Sequence, residues 1–203
     1  MNLNNVILAV EDRLSDAVAT KILEKFGVKI VKRIGFQGKS DLERKTSELN
    51  RAANGITVFM LTDLDSPRDC PPRLIRSWVK GILNPRFCFR VAVMEVESWV
   101  MADRIGLAAF LSIPLHRIPS PTDNVLNPKE FLVSLARRSR KKAIRAALVP
   151  AQDAILSVGN EYNTLLTEFV REHWDLERAA SVSPSLKRTL DRISQERNAS
   201  TNQ

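Results

Sequence analysis

Three acidic residues follow short apolar segments and could together bind a divalent metal ion. Glu11 follows Val6–Val10, and Asp63 and Asp65 follow Ile56–Leu61. If the backbone stays extended, Asp63 and Asp65 point the same way, because side chains alternate along a strand. Two carboxylates held that close repel each other, and a divalent cation between them removes the repulsion. Such a cation can also polarise a phosphoryl oxygen or activate a water molecule.

Other roles for these acids remain open. Glu11 could complete the cation site or transfer protons. The acids could instead cap helices, with Asp12 capping the first helix and Asp65 or Ser66 capping the helix that begins near Pro71.

Two further acids follow the fourth apolar segment of the chain. Glu97 is either a second metal ligand or an acid favoured at a helix N-terminus by the helix dipole, and the two alternatives are equally supported. For Glu95 the helix-terminal role is favoured.

The elements that must position these acids alternate between strands and helices over the first hundred residues. Such alternation predicts a mostly parallel sheet, whose ligands bind beyond the carboxyl ends of its strands. Glu11 and the Asp63–Asp65 pair follow strands at that edge. The predicted elements are strand Val6–Val10, helix Leu14–Phe26, strand Val28–Ile34, a helix from Ser40 or Asp41 to about Ala53, strand Ile56–Leu61, a helix from Pro71 to near Asn84, and strand Phe87–Met94.

The second half of the chain shows no convincing strand after about Asp103. The fold class predicted is therefore α/β, with a mostly parallel four-stranded sheet flanked by helices in residues 1–104 and a helical C-terminal part in 105–203 that packs on it. The helices predicted there are Leu107–Leu111, Pro128 to about Leu148, Glu161–Trp174 and Pro184 to about Ile193, before a frayed tail at Asn198–Gln203.

Composition limits the chemistry and the partners. The 203 residues carry a net charge of +8, which attracts phosphate polymers or anionic membranes. Two cysteines and two histidines exclude a disulfide framework and a histidine-rich metal centre, so metal chemistry must use carboxylates, which favours Mg²⁺ or Mn²⁺. The sequence has no apolar run of the roughly 20 residues that a membrane span needs. It has no secretory signal either, and we expect no membrane contact. Because its two cysteines make no disulfide framework, we expect a reduced, cytoplasmic location.

A basic segment is the candidate nucleic-acid contact. Its positive charges would release counterions from phosphates on binding. A solvated helix or a surface for an acidic partner protein are the alternatives. The six basic residues are Arg137, Arg138, Arg140, Lys141, Lys142 and Arg145.

The loop Gly35–Ser40 is similar to the end of a phosphate-binding Walker loop. Arg33 stands where a complete loop of that kind needs glycine, so an ATPase is rejected. Lys39 could still neutralise charge on a scissile phosphate, which makes it a candidate catalytic residue. It could also be an ordinary exposed lysine at a helix start.

Two motifs resemble the Toprim domain of topoisomerases, primases and overcoming-lysogenization-defect nucleases. Val10–Asp16 resembles its first motif and Thr62–Asp65 its second, although Asp12 stands where many members have glycine. The resemblance implies that Glu11 acts as acid/base or metal ligand and that Asp63 and Asp65 bind Mg²⁺.

A narrower resemblance, to the Toprim-like domain-of-unknown-function 4276 family, covers nearly the whole chain. Members are often encoded beside ABC- or AAA-type ATPases in bacterial defence loci, which implies such a partner. The motifs that carry it are Gly38–Leu42, Asp63–Asp65 with Cys70–Pro72, Glu95–Asp103, Asn127–Lys129 and Ser183–Leu186.

The predicted function is thus a Mg²⁺-dependent nuclease acting on DNA or RNA. One alternative is a non-catalytic module that binds nucleic acid or an ATPase. Another is a haloacid-dehalogenase-like phosphatase. That family has its acid pair after the first strand and usually threonine or valine two residues after the second aspartate. In this chain the pair follows the third strand and Pro67 stands at that position, so the phosphatase is disfavoured. The number of metal ions and the oligomeric state, including a homo-oligomer, stay open.

Overall fold

The computed structural model describes residues 4–152, 155 and 157–201, with the backbone alone described for 198–201. Four strands form one sheet in the order β2-β1-β3-β4, and every neighbouring pair is parallel. This confirms the predicted α/β fold with a parallel four-stranded sheet flanked by helices. The strands are β1 Asn5–Val10, β2 Lys29–Gly35, β3 Thr57–Asp63 and β4 Phe87–Ala92.

The alternation of side chains along β1 and β3 produces two hydrophobic layers. Leu8 and Phe59 face the layer that contains α1 and the C-terminal helices, whereas Met60 faces the layer that contains α2 and α3. All seven residues of β3 are buried, as expected for a central strand covered on both faces. The helices are α1 Arg13–Lys25, α2 Lys39–Ala52, α3 Pro71–Val79, α4 Val96–Ala102, α5 Arg104–Leu111, α6 Pro128–Arg137, α7 Lys142–Leu148, α8 Tyr162–Glu172, α9 Leu176–Val182 and α10 Pro184–Thr201.

Several predicted boundaries are wrong, because the backbone turns where the side-chain pattern gives no warning. α3 stops at Val79 and not near Asn84, since Lys80 adopts a left-handed conformation with φ of 48°. β4 stops before Met94, whose φ is 64°. The helix predicted from Pro128 to Leu148 is two helices, separated at 138–141.

The C-terminal end of the chain also differs from the prediction. The sequence pattern does not predict α9, and α10 continues through 198–201, where a frayed tail is expected. Asn202 and Gln203 lie outside the described residues.

One hydrophobic cluster joins the sheet to the C-terminal helices. It contains Leu8 of β1 and Trp99 of α4 together with Phe169 of α8 and Leu186 of α10, all of them buried. The division at residue 104 therefore stays a prediction, because the core itself runs through both parts. No helix within the described residues is both long and apolar enough to cross a membrane.

An ion pair between the buried Asp103 and the half-exposed Arg178 fixes α9 against the junction of α4 and α5. Asp103 has no exposed surface, and its carboxylate accepts hydrogen bonds from Arg178 Nε at 2.7 Å and Nη2 at 2.9 Å. The main-chain N–H groups of Gly106 and Asp175 also donate to it, at 3.0 and 2.9 Å. Burial alone would raise the pKa of Asp103, but these hydrogen bonds outweigh it and lower the pKa.

We predict that Asp103→Asn lowers the free energy of unfolding at pH 7 by about 2 kcal/mol, since a neutral amide cannot accept all of these hydrogen bonds. A carboxyl whose pKa is lower in the folded state stabilises the fold above its unfolded pKa. That contribution disappears as the pH falls through the acid range, below about 4. Urea unfolding at several pH values should therefore show the difference between wild type and variant shrinking towards pH 3.

Asp191→Asn is the matched control, because Asp191 pairs with Lys187 on the surface of α10. It should change the free energy of unfolding by less than about 0.5 kcal/mol. A difference for Asp103→Asn that is equal at pH 7 and pH 3 contradicts the assignment.

Candidate metal and phosphate site

Acidic residues follow three adjacent strands at the carboxyl edge of the sheet. β1 leads into Glu11, β3 ends at Asp63, and β4 leads through a turn to Glu95 and Glu97. Because β3 lies between β1 and β4, these side chains come from neighbouring positions along one edge. We call this set, together with Asp12 and Asp65, the acid cluster.

Glu11 is bound directly to the end of β3. Its Oε1 atom accepts a hydrogen bond from the Thr62 hydroxyl and another from the Asp63 N–H at 2.9 Å. Burial raises the pKa of Glu11, although these two hydrogen bonds and the nearby Lys39 oppose the rise. The predicted meeting of Glu11 with the residues around 63 is therefore present in the structure.

Asp63 is the most perturbed acid of the cluster. It is buried at the end of β3, and its Oδ1 atom accepts a hydrogen bond from the Val96 N–H at 2.8 Å. Burial raises the pKa of Asp63 well above its usual value, and the negative charges of Glu97 and Glu11 raise it further. A cation beside Asp63 would relieve both effects.

Asp65 does not continue the strand. β3 ends at Asp63, and Asp65 is left-handed with φ of 58°, so the condition for two parallel side chains is not met. Its main-chain N–H instead donates to Met94 O at 2.8 Å, and its carboxylate Oδ2 accepts a hydrogen bond from Lys39 Nζ at 2.7 Å.

Of the two helix caps that the sequence suggests, one is present and one is wrong. Asp12 caps α1, because its Oδ1 atom accepts from Ser15 N–H at 2.8 Å. Asp65 and Ser66 do not cap α3, whose N-cap is Cys70. Asp65 therefore binds Lys39 within the acid cluster and does not cap a helix.

A glycine-rich loop carries Lys39 to the acid cluster. Gly35 has φ of 112°, and a Cβ atom there would lie 1.9 Å from Val10 O, so only glycine fits. The next N–H, of Phe36, donates to Val10 O at 3.2 Å, and Gly38 N–H donates to Glu11 O at 3.1 Å. Lys39 Nζ then reaches the main-chain oxygen of Asp63 at 2.7 Å as well as the Asp65 carboxylate. The structure thus places Lys39 beside the acids, as its candidate role in phosphate chemistry requires.

Glu97 is buried, and one of its carboxylate oxygens has no hydrogen-bond partner among the described residues. Only 1% of the residue is exposed. Its Oε1 atom accepts from the Tyr162 hydroxyl at 3.1 Å and lies 3.6 Å from Lys129 Nζ. Its Oε2 atom is buried and makes no hydrogen bond within the described part of the chain. Burial raises the pKa of Glu97 to about 7, although Lys129 opposes the rise.

Lys129 and Tyr162 belong to the site, although the sequence pattern assigns their side chains no role. Lys129 follows Pro128 at the start of α6, and its main-chain N–H donates to Glu95 Oε2 at 2.7 Å. Burial lowers the pKa of Lys129, but Glu97 and Glu95 outweigh this and hold it above its usual value. The motif Asn127–Lys129 is a signal for the lysine. The one tyrosine of the chain is a signal too, because a buried tyrosine hydroxyl usually needs a partner.

The acid cluster has the donor chemistry that a hard divalent cation requires. Glu11, Asp63, Asp65, Glu95 and Glu97 each commit one carboxylate oxygen to a protein donor and leave the other without a hydrogen bond within the described residues. Five free carboxylate oxygens suit Mg²⁺ or Mn²⁺. As the side chains stand, however, no group of three or more acids, histidines or cysteines among the described residues is assembled to hold a metal ion. Binding therefore requires carboxylates to rotate.

The basic segment is not one helix. Arg137 ends α6, the next four residues connect the helices, and α7 begins at Lys142. Two of the six basic side chains bind main-chain oxygens, Lys141 that of Phe110 at 3.1 Å and Arg145 that of Ser139 at 2.5 Å. The exposed residues with no such contact among the described ones are Arg137, Arg138, Arg140 and Lys142.

Comparison with known proteins adds no relative: no family model, curated protein or solved structure matches this chain. The resemblance to Toprim domains and to the family of unknown function therefore rests on the motifs alone.

We predict that Mn²⁺ or Mg²⁺ raises the melting temperature of the wild-type protein, because a ligand that binds only the folded state stabilises it. A concentration ten times the Kd corresponds to about 1.4 kcal/mol. Asp63→Asn should abolish the shift, measured by calorimetry after removal of metal with EDTA. Asp191→Asn, on the surface of α10, should keep it. An equal shift in Asp63→Asn and wild type would place the metal elsewhere.

Proposed function

We propose that this chain is a divalent-metal-dependent phosphodiesterase that cleaves nucleic acid. The observation that carries the proposal is the bond between Glu11 and the end of β3, which joins the acids of two adjacent strands beside Lys39. Ligands of parallel α/β sheets bind at this edge. The net charge of +8 favours a phosphate polymer as substrate.

The residues divide the work of phosphodiester hydrolysis. Asp63 and Asp65, with Glu11 or Glu97 rotated towards them, would hold the cation, which when bound supplies polarisation of a phosphoryl oxygen. In the reaction, a water molecule gives a proton to Glu11 as its oxygen bonds to phosphorus. The bond from phosphorus to the leaving oxygen breaks, and the leaving oxygen takes up a proton. Glu11 suits the proton transfer, because it lies against the end of β3 beside Lys39 and the other acids, and burial raises its pKa above the usual value.

Two lysines neutralise charge around the acids. Lys39 Nζ contacts main-chain and side-chain oxygens at the end of β3, where a substrate phosphate would lie. Its ammonium group can stabilise negative charge that develops on the phosphoryl oxygens. The Lys129 ammonium group lies 3.6 Å from Glu97 Oε1, and its positive charge offsets the negative charges of Glu97 and Glu95.

A second candidate function is a binding module without catalysis. The observation that favours it is that the acids are not assembled around a metal position in the described structure. On that account, Lys39 and Lys129 would be permanent counter-charges of the acids. A partner ATPase is proposed only from the resemblance to the family of unknown function.

We predict Mn²⁺-dependent cleavage of nucleic acid by the purified protein, lost in EDTA. Glu11→Gln and Asp63→Asn should reduce the rate at least about 100-fold, as expected for a proton-transfer group and a metal ligand. Lys39→Gln should reduce the rate less, by about tenfold. Radiolabelled single-stranded and duplex forms of DNA and RNA provide the substrates, and Asp191→Asn is the control. If the nucleic acid is bound but never cleaved, the binding module is the correct function.

We predict that the basic segment contributes to binding through phosphate contacts. The four residues to replace by glutamine are Arg137, Arg138, Arg140 and Lys142. On duplex DNA, this should reduce the slope of log K against log salt by about 0.9 for each phosphate that the segment neutralises. A control protein in which four basic residues on other surfaces are replaced should keep the slope of wild type. Its substitutions are Lys29→Gln, Lys32→Gln, Arg51→Gln and Lys80→Gln. Equal slopes in the two proteins would show that the basic segment makes no specific contribution.

A further inference from the structure

A groove near the start of α1 has no residue of the acid cluster in its walls and is not explained by the metal site. It has a volume of about 490 Å³ between the start of α1, the loop after β2 and α8. That size is within the range of about 300–1,000 Å³ that is typical of small-ligand pockets. Its walls include Arg13, two residues after Glu11, and Phe36, three residues before Lys39.

Phe36 is held in an unusual and exposed position at this groove. Its φ is 68°, a conformation that is costly for a large side chain, and 43% of the residue is exposed. The other phenylalanines, the tryptophans and the tyrosine are all described, and every one of them is less exposed. The fold thus maintains a strained backbone that presents an aromatic ring to solvent, where the ring contributes little to the core.

The main chain at Phe36 is fixed relative to the acids. The Phe36 N–H donates to Val10 O, and Glu11 follows Val10 directly. On the other side, the same loop delivers Lys39 to the main-chain oxygen of Asp63. Phe36 and Lys39 are thus carried by one short loop, so a nucleic acid whose phosphate lies at Lys39 would pass close to the groove.

The charge of the groove suits a neutral ligand group. Arg13 and Arg171 are balanced by Glu168 and Glu172, and the remaining acid, Asp16, is already paired with Arg33 at 2.9 Å. A groove without excess positive charge has no preference for phosphate.

The polar side chains of α8 complete the requirements for a nucleobase. Asn163 and Thr164 line the groove and are exposed, and they can donate and accept hydrogen bonds at the edge of a base. An aromatic face, polar groups for the base edge and a nearly neutral wall are the chemistry of a base-binding pocket.

We infer that this groove binds an unpaired nucleobase next to the scissile phosphate, stacked on the ring of Phe36, so that the substrate is single-stranded DNA or RNA. This inference rests on the proposed function for the role of the neighbouring phosphate. A base inside a duplex is already stacked on both faces and cannot reach the ring without leaving the helix. Duplexes therefore bind more weakly than single strands.

The test is fluorescence anisotropy with labelled oligonucleotides in EDTA, where metal-dependent cleavage does not occur. Single-stranded DNA and RNA of one sequence are compared with each other, which shows whether the base comes from DNA or RNA. Each single strand is also compared with its duplex, in which the bases are paired. Phe36→Ala and Phe36→Leu should bind single strands about tenfold more weakly, because stacking on an aromatic ring is lost. Phe36→Tyr, which keeps the ring, should bind as wild type does.

Ile82→Ala is the control for loss of an exposed apolar side chain. Ile82 is 91% exposed and precedes β4, so it lies at the amino end of that strand and not at the site. Thermal unfolding of each variant confirms that it is folded before its affinity is compared. Should Phe36→Ala misfold, the comparison of Phe36→Leu with Phe36→Tyr decides the matter.

The inference is overturned if single strands and duplexes bind equally well and Phe36→Leu binds as tightly as Phe36→Tyr. Cleavage that depends on Mn²⁺, with this result, leaves the proposed function intact and removes only the base pocket. Single-strand binding that depends on Phe36, without any cleavage, confirms the pocket and removes the phosphodiesterase.

Discussion

The central constraint on this protein is the repulsion among carboxylates at the carboxyl edge of its sheet. Asp63 is buried there, and its pKa is raised first by burial and then by the charges of Glu97 and Glu11. Such an arrangement costs stability, because the same carboxylates on the surface would be solvated by water. A role in function would explain why the fold keeps it. Perturbed acids of this kind are typical of functional sites.

The surrounding structure lowers this cost without removing it. Main-chain N–H groups of Asp63, Val96 and Lys129 each donate to one carboxylate, and the ammonium groups of Lys39 and Lys129 supply positive charge. Each carboxylate still keeps one oxygen without a hydrogen bond within the described residues, and that of Glu97 is buried. A divalent cation can bind these oxygens, and the two lysines can bind a substrate phosphate. A metal ion together with a phosphate therefore accounts for both the negative and the positive side chains of the site. The tight loop at Gly35 matters here because it sets both Lys39 and Phe36 against the end of β1.

Sequence patterns predicted the sheet and the location of the acids, because both depend on local periodicity. The buried run Val6–Val10 and the run before Asp63 identify the strands, and parallel topology then brings their ends together. The course of the chain beyond a strand was not predictable in the same way. The backbone leaves the strand direction at Asp65, where the Asp65 N–H donates to Met94 O, a partner nearly thirty residues away in the sequence. Tyr162 reaches Glu97 only because α8 packs in the same layer as α4, an arrangement that no local pattern encodes.

The most direct test of the central claim is a crystal structure of the protein soaked with Mn²⁺, recorded for anomalous scattering. We expect one anomalous peak at the carboxyl edge of the sheet, within about 2.2 Å of an oxygen of Asp63 and with Asp65, Glu11 or Glu97 rotated to complete the ligands. A protein that takes up no Mn²⁺ at this edge, with Lys39 and Lys129 still bound to the acids, would contradict the claim.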